Sequence, residues 1–538
     1  PAPALAAPAA ASGGVATLSV VLPCAHEGEF VARTVQAVTE ATPPSRLLEI
    51  LVVDDASTPA IADDLSADFL KAHKVRVIRH DEPQGLIRSK KHGGDAAIAD
   101  AIVFLDCHVK PMEAWSDAIV DHLNQNARRV VVPAITVLDP DTWQEVSPYG
   151  GASKCCLTWN ADFKWCPQYP GPYIPIMSGG LLAMTRAWWT ESGGYDDQML
   201  SWGGENIDQS LRTWLCGGEI LVAEGSRVAH MFRDPSKPKT RLRYAMSPEH
   251  VRRNRLRAAE AWLGPWARKV RGFPEFADFA AGGPLGVGSL EGVAGLRRRL
   301  GCQGFESYLD RFRDLYIGNG WLPRAFFHLR EATSGWCLHH QPGPGFVLAP
   351  CDRASPWQRL HGANRREAEG TCCSGLKVLD VDACLAAYEL GGGANADLCE
   401  SFGDTPSQLW ELTASGALEW QYVEEPPTYV ERKDLAGGTQ FVVTSGPDEG
   451  QTLPAPPAPA RGCLAPASAA DLTVRDCRQA AAAGVRWEKL WPDVPLETRL
   501  LMDVRGPPGG GGAASDEERR LFADAQQVID AGRLSHEL

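Results

Sequence analysis

The sequence places a carboxylate and an imidazole two residues apart, in Asp106-Cys107-His108, at the end of a short apolar run. In an extended segment alternate side chains point the same way, so Asp106 and His108 can face one ion while Cys107 turns away. Such a pair, with other coordination positions open, suits a borderline divalent ion such as Mn²⁺ that also binds diphosphate oxygens. The pattern is short, and by itself it fits an ordinary strand end at the surface better than a metal site.

Alternating strand and helix patterns over residues 17–140 predict where these side chains lie. Strands are predicted at 18–23, 49–55, 75–79 and 101–106, and helices at 27–40 and 88–100. This alternation predicts an α/β fold with a mostly parallel sheet covered on both faces. Ligands of such sheets bind at the carboxyl ends of strands, where Asp54, Asp55 and Asp106 fall. Further along, the patterns predict an amphipathic helix near 253–262, a surface insertion at 273–292 and a closing helix pair at 297–309.

Composition bounds the class of protein. A chain of 538 residues is too long to form one hydrophobic core, so two or more domains are expected. Hydrophobic residues make up 44% and charged residues 22%, which is typical of a soluble globular protein. A formal net charge of −14 argues against nucleic acid as the main partner. Fifteen cysteines favour an oxidising compartment. No run of eighteen apolar residues is present, so membrane attachment requires a segment outside this chain. The Ala/Pro-rich start predicts a flexible stem over residues 1–16.

An internal repeat organises the second half of the chain. The dipeptides Cys337-Leu338, Cys384-Leu385 and Cys463-Leu464 are followed by a further cysteine 14, 15 and 14 residues after the first. Two of these repeats then carry a tryptophan, Trp410 or Trp487. A spacing held three times indicates repeated structural units. Residues 496–538, which contain a glycine run, are predicted to be a flexible tail with one helix.

Several longer blocks occur in a characteristic order. They are LEILVVDDAS (48–57), GLIRSKKHGGD (85–95), the Asp-x-His segment, IMSGGLLAM (176–184), GGYDDQMLSWGGENIDQSLRTWLCGG (193–218) and SRVAHMFR (226–233). Together they resemble the polypeptide N-acetylgalactosaminyltransferase family, and the repeat region resembles a ricin-type β-trefoil lectin. The resemblance implies a GT-A (Rossmann-like) catalytic domain at 17–330 and an all-β trefoil domain at 331–495.

The same resemblance implies a metal site. Asp106, His108 and His230 are expected to hold Mn²⁺, and Arg233 is expected to neutralise the phosphates of the donor. Taken alone, His230 beside Val228 and Met231 also fits a core histidine with no ligand role.

The resemblance also implies residues for the nucleotide. An aspartate at the end of the second strand is expected to accept the uracil N3–H, and Asp55 is favoured over Asp54. Either carboxylate also fits a cap or turn role. Arg88 belongs to the block that resembles the family's Gly-Leu-x-Arg segment.

Residues for the sugar follow in the same way. Gly179 and Gly180 leave room for a close approach of the sugar to the backbone. Trp202 is expected to shield the diphosphate or sugar from water. Glu205 and Asn206 are expected to bond sugar hydroxyls or the acetamide.

Four departures from the family pattern stand out. The loop at 234–244 lacks the usual His and Pro-Tyr, Pro83-Gln84 replace a pair that commonly contains arginine, and Gly225 replaces a cysteine. The resemblance still implies a disulfide between Cys216 and Cys302. His339, Ala386 and Ala465 stand where sugar-binding repeats carry aspartate, which favours a structural or acceptor-orienting module over a working lectin.

The implied function is a retaining transfer of GalNAc from UDP-GalNAc to Ser or Thr of a polypeptide or glycopeptide. The implied location is the Golgi or secretory lumen, as a type II membrane protein whose anchor lies outside this sequence. Two alternatives stay open, namely a catalytically inactive sugar- or peptide-binding homologue and a transferase for another UDP-sugar. Transfer to peptide separates them, whereas UDP release does not.

Overall fold

The computed structural model divides the chain into two compact units between Phe312 and Arg313. The predicted boundary at residue 330 lies later and stays a prediction, as do the stem and tail. The structure describes residues 14–147, 154–166, 169–234, 237, 239–240, 246–276, 279, 286–318, 322–323, 325–343, 345–363, 375–381, 383–397, 399, 406–421, 430–435, 438–443, 452–453, 461–468 and 470–495. Most of the predicted stem and all of the predicted tail therefore lie outside the described residues. No described helix is both long and apolar enough to cross a membrane.

The first unit is built on a mixed sheet. Nine of its described strands join this sheet in the order β3-β2-β1-β4-β10-β6-β11-β5, with β7 beside β6. Its strands are β1 (Leu18–Cys24), β2 (Leu47–Asp54), β3 (Val75–Arg79), β4 (Ala101–Phe104), β5 (Val109–Pro111), β6 (Arg129–Leu138), β7 (Glu145–Ser147), β10 (Leu182–Thr185) and β11 (Glu219–His230), and β8 (Cys155–Leu157) pairs separately with β9 (Phe163–Trp165). Strands β1 to β4 run parallel, whereas β10 runs antiparallel to β4 and β6. The four predicted strands are confirmed.

The first unit also contains helices. They are α1 (Glu29–Ala41), α2 (Ile61–Asp64), α3 (Ala67–Ala72), α4 (Leu86–Ala96), α5 (Trp115–Gln125), α6 (Arg186–Ser192), α7 (Glu205–Leu215), α8 (Pro248–Trp262), α9 (Ala267–Arg271), α10 (Glu291–Leu300) and α11 (Phe305–Arg311), with 3₁₀ turns at Gly264–Trp266 and Pro274–Phe276. Every residue of β1 is buried, and Val31, Val35 and Val38 of α1 pack in the same core. This burial explains why β1 reads as a continuous apolar run rather than an alternating one.

Two sequence-based expectations need correction. The helix predicted to reach residue 100 ends at Ala96, because the next backbone N–H groups are used elsewhere: Ile98 donates to Glu49 and Ala99 to Ser19. The segment predicted as a surface insertion at 273–292 is partly core, since Phe276 is fully buried. Its later backbone carbonyls accept hydrogen bonds from Arg257.

The second unit is predominantly β. Its described elements are α12 (Arg313–Gly318), β12 (Ala325–Glu331), β13 (Cys337–Gln341), β14 (Gly345–Ala349), β15 (Leu360–Ala363), β16 (Gly375–Val378), β17 (Cys384–Ala386), β18 (Asn395–Asp397), a 3₁₀ turn at Pro406–Gln408, β19 (Trp410–Leu412), β20 (Leu418–Gln421), β21 (Val430–Leu435), β22 (Gly438–Val443), β23 (Thr452–Leu453), β24 (Arg461–Pro466), β25 (Leu472–Asp476), α13 (Cys477–Ala482) and β26 (Trp487–Pro495). Trp410 and Trp487, the tryptophans of the repeat, lie in one shared core. Each repeat carries its own disulfide. The predicted fold class, an α/β unit followed by an all-β region, is confirmed.

Candidate active site

Two strand ends bring the predicted metal ligands together. Asp106 and His108 lie in the connection between β4 and β5, and His230 is the last residue of β11. Strand β5 pairs antiparallel with β11, so that His230 lies opposite Val109. The N–H of Met231 then donates to the carbonyl oxygen of His108 over 3.1 Å. Residues more than 120 positions apart in the chain thus meet through one pair of backbone-bonded strands.

The three side chains form a compact ligand set. One ligand atom from each of Asp106, His108 and His230 lies within 4.8 Å of the others, and His230 Nε2 is 3.2 Å from an Asp106 oxygen. His230 Nδ1 is buried without a hydrogen-bond partner. One carboxylate and two imidazoles fit a divalent ion such as Mn²⁺, with positions left for phosphate oxygens. A second grouping, Glu419 with Cys463 and Cys477, is no such site, because its two cysteines form a disulfide.

The charge states of this set suit a cation. Burial by itself raises the pKa of the Asp106 carboxyl. The hydrogen bond with His230 and the nearby charges of His108 and Lys90 outweigh this effect and hold the pKa well below its usual range. Burial lowers the pKa of His230, and the raising effect of Asp106 does not offset it. At neutral pH the site therefore presents an ionised carboxylate and a neutral imidazole, the forms that bind metals.

Glu27, which the sequence analysis missed, holds two of the predicted residues. Its carboxylate pairs with the Arg233 guanidinium and lies 3.3 Å from Nδ1 of His108. Arg233 also lies 3.1 Å from that same nitrogen. Burial raises the pKa of Glu27, but His108 and Arg233 together lower it below the usual value, so the carboxylate is ionised. The sequence did offer one signal for Glu27: it lies three residues after β1, and ligands of such sheets bind at the carboxyl ends of strands.

The two aspartates at the end of β2 have different environments. Asp54 is fully buried, accepts backbone hydrogen bonds from Ser57 and Ile61, and pairs with Arg79. Asp55 instead lines the cavity described below, and the backbone N–H groups of residues 84 and 85 hold its carboxylate at 2.7 and 2.8 Å. Of the two aspartates, Asp55 is therefore the one placed at the cavity, and its contact with uracil stays a prediction.

A cavity of about 1020 Å³ opens around these groups. The predicted site residues that line it are Asp55, Arg88, Asp106, His108, Gly179, Gly180, Trp202, Glu205, His230 and Arg233. Asn206 does not line it, because its side chain turns back and donates to the carbonyl oxygen of Met177 over 3.0 Å. The predicted contact of Asn206 with the sugar thus requires a different side-chain position.

The glycine pair makes close contacts within the protein as well. Gly179 has φ +90°, and a Cβ there would lie 2.8 Å from the Cβ of Asn206. A Cβ on Gly180 would lie 2.8 Å from an Asp106 oxygen. Gly180 is therefore needed to let the Asp106 carboxylate keep its position, a reason that the sequence analysis did not contain.

Glu205, the first residue of α7, is a buried acid with spare bonding capacity. Its Oε2 has no hydrogen-bond partner in the described structure. Burial raises the pKa of Glu205, and the positive charge of Lys90 opposes the shift. Lys90, also missed by the sequence analysis, is fully buried, lines the cavity and donates to the carbonyl oxygen of Gly179 over 2.6 Å. A carboxylate oxygen without a partner beside a cavity indicates a polar ligand there.

Disulfides support this arrangement. The expected bond between Cys216 and Cys302 is present. A bond between Cys24 and Cys107 was not foreseen, and it ties the residue between Asp106 and His108 to the end of β1.

Removing that bond by Cys24→Ala/Cys107→Ala is expected to weaken Mn²⁺ affinity by about tenfold, the lower range for groups that orient metal ligands. Calorimetric Mn²⁺ titration tests this expectation. The matched control, Cys384→Ala/Cys399→Ala, removes a disulfide of the second unit and should leave Mn²⁺ affinity unchanged. Equal affinity loss in both variants would contradict a local effect.

Comparison with known proteins places this geometry in a class. The model for glycosyl transferase family 2 matches residues 19–187, and the model described as the N-terminal domain of galactosyltransferase matches residues 165–234. A crystal structure of GalNAc-T7 with UDP, GalNAc and Mn²⁺ is similar with a TM-score of 0.51 at 21% identity, covering 88% of this chain and 82% of that one. The first unit therefore has the GT-A glycosyltransferase fold.

Sequence relatives define the family more narrowly. Polypeptide N-acetylgalactosaminyltransferase 8 of Drosophila melanogaster is 30% identical over 72% of this chain and 66% of its own length. The inactive polypeptide N-acetylgalactosaminyltransferase-like protein 5 of Macaca fascicularis is 34% identical over 55% of this chain and 67% of its own length. The chain belongs to the polypeptide N-acetylgalactosaminyltransferase family. The chain spans between 36% and 66% of the length of five curated relatives, one of which is the fruit-fly protein.

Proposed function

We propose that this chain is a Mn²⁺-dependent retaining glycosyltransferase that moves GalNAc from UDP-GalNAc to Ser or Thr hydroxyls of polypeptides. The observation that carries the proposal is the ligand set of Asp106, His108 and His230 at the wall of a cavity of about 1020 Å³. Family membership supports the choice of donor and acceptor, and the GalNAc-T7 structure was obtained with UDP, GalNAc and Mn²⁺.

Different residues of the cavity bind the uracil, the diphosphate and the sugar of the donor. Asp55 accepts the uracil N3–H, and Arg88 and Arg233 face the diphosphate. Arg233 keeps one side of its guanidinium on Glu27, so its remaining N–H groups are the ones available to phosphate oxygens. Trp202 covers the donor against water, and Glu205 accepts a hydrogen bond from a sugar hydroxyl through its unpartnered oxygen. Asp106, His108 and His230 would hold Mn²⁺, which would supply positive charge against the negative charge of the departing diphosphate.

Family membership supports a reaction that retains the configuration at the anomeric carbon. The acceptor oxygen bonds to the anomeric carbon from the face that UDP leaves, the bond from that carbon to the diphosphate breaks, and the proton passes to the leaving phosphate. No side-chain nucleophile is required. The protein contributes by positioning the two substrates and by preorganised charge.

The mouth of the cavity supports a polypeptide acceptor. Two large side chains that line it, Trp165 and Phe232, remain 48% and 50% exposed. Exposed aromatic groups beside a polar reaction site suit the mixed apolar and polar surface of a peptide. The disulfides of both units support a secretory location such as the Golgi lumen.

An inactive homologue is the second candidate, favoured by the 34% identity to a relative named as inactive. Transfer from UDP-GalNAc to a mixed Ser/Thr peptide library with Mn²⁺, read by mass spectrometry, separates the two. Plain and pre-glycosylated peptides are both offered, and UDP-glucose and UDP-GlcNAc are run in parallel. A gain of one HexNAc that needs UDP-GalNAc supports the proposal. Binding of UDP and Mn²⁺ without any transfer supports the inactive homologue, and transfer from another UDP-sugar contradicts the assigned donor.

A further inference from the structure

A chain of three side chains runs from the cavity wall to the protein surface. Nδ1 of His80 lies 2.7 Å from the Asp55 carboxylate, and Nε2 of His80 lies 2.8 Å from Nδ1 of His92. His80 is buried, whereas His92 lies on the exposed side of α4. The two rings meet edge to face at 4.9 Å. A carboxylate that faces the donor is thus linked through two imidazoles to solvent.

We propose that His80 is a positioning residue for Asp55 and that its contact with His92 makes uracil recognition depend on histidine protonation. The inference rests on the proposed function, because it takes Asp55 as the group that reads the uracil. Nothing in the metal-ligand set is involved, since Asp55, His80 and His92 are all distinct from it.

The hydrogen-bond roles of His80 and His92 define two states of this series of side chains. With one proton per imidazole, His80 donates from Nδ1 to Asp55 and accepts at Nε2 from His92. With one further proton, His80 donates from both nitrogens, to Asp55 and to His92. Two imidazolium ions at this distance repel each other, so a positive charge on His80 disfavours a second one on His92.

The extra proton changes Asp55. An imidazolium neutralises part of the carboxylate charge, which makes the carboxylate a weaker acceptor for the uracil N3–H. Uridine therefore binds the less protonated state more tightly, and its affinity falls as pH decreases through the histidine range.

Other charges act on the outer histidine. Burial lowers the pKa of His92, as does His80, while Asp95 on the same helix raises it and Lys91 and Arg88 lower it. The surrounding charges therefore favour the neutral form of His92, the form that can accept a hydrogen bond from a protonated His80.

The test uses uridine as the probe, because uridine lacks phosphates and its binding should not depend on a metal. Its affinity for the full chain is measured in EDTA by ligand-detected NMR between about pH 5.5 and about pH 8, the range in which histidines titrate. Wild-type protein is expected to bind uridine about fivefold more weakly at the lower pH. His80→Asn keeps an N–H donor for Asp55 but cannot titrate, so its affinity should match wild type at the higher pH and stay constant.

Two further variants complete the test. His92→Phe removes the hydrogen-bond partner of His80 Nε2 and should shift the pH at which uridine affinity is halfway between its two limits. His73→Asn, which changes a partly exposed histidine that does not line the cavity, should keep the wild-type profile. A wild-type profile in His80→Asn, or an unmoved midpoint in His92→Phe, overturns the inference and leaves the proposed function standing. Absence of uridine and UDP binding in the wild type at every pH overturns both.

Discussion

Asp106→Asn is expected to abolish peptide glycosylation, with a loss of at least about a thousandfold in kcat/KM. Asparagine has the same shape as aspartate but no negative charge, so the pocket beside Gly180 is preserved while the ionised ligand is lost. The hydrogen bond with His230 can persist through the amide. The fold should therefore survive, and the loss should be confined to the cation and the chemistry that it supports.

Two measurements isolate this effect. Calorimetric or spin-resonance titration should show greatly weakened Mn²⁺ binding in Asp106→Asn, with thermal unfolding close to that of the wild type. Asp63→Asn, an exposed aspartate on α2, serves as the matched control and should retain both properties. If Asp106→Asn transferred GalNAc as fast as the wild type, the Asp106 carboxylate would not be required for the reaction.

Glu205→Gln should reduce transfer by about a hundredfold while leaving UDP affinity nearly unchanged. The unpartnered oxygen of Glu205 is available to a sugar hydroxyl, and an amide in its place presents either a neutral acceptor or a donor. Discrimination between UDP-GalNAc and UDP should therefore fall, because the nucleotide is held by other residues of the cavity.

The comparison to make is the ratio of the UDP-GalNAc and UDP dissociation constants, measured with Mn²⁺ alongside the transfer rate. Glu224→Gln, an exposed residue of β11, controls for loss of one negative charge. Equal weakening of UDP and UDP-GalNAc would indicate a structural role for Glu205 instead of sugar recognition.

Local pattern was sufficient for much of the fold. The alternation of strands with helices predicted a mostly parallel sheet, and the apolar runs at β1, β2 and β4 fit strands that are buried on both faces. The end of α4 was beyond that reasoning, because residues 98 and 99 leave the helix to bond Glu49 and Ser19, which are distant in the chain. Partners of this kind have no local signature.

The sequence by itself determined the Asp-x-His spacing, the family blocks and the three cysteine repeats, since each depends only on residue types at short intervals. Only the tertiary structure decided that Asp55 faces the cavity while Asp54 is enclosed, and that Glu27, Lys90 and His80 support the site. Those assignments depend on which strand ends and helices converge, and convergence is set by packing between segments far apart in the chain. Burial then changes the charge and hydrogen-bond needs of each group, which the residue type alone does not specify.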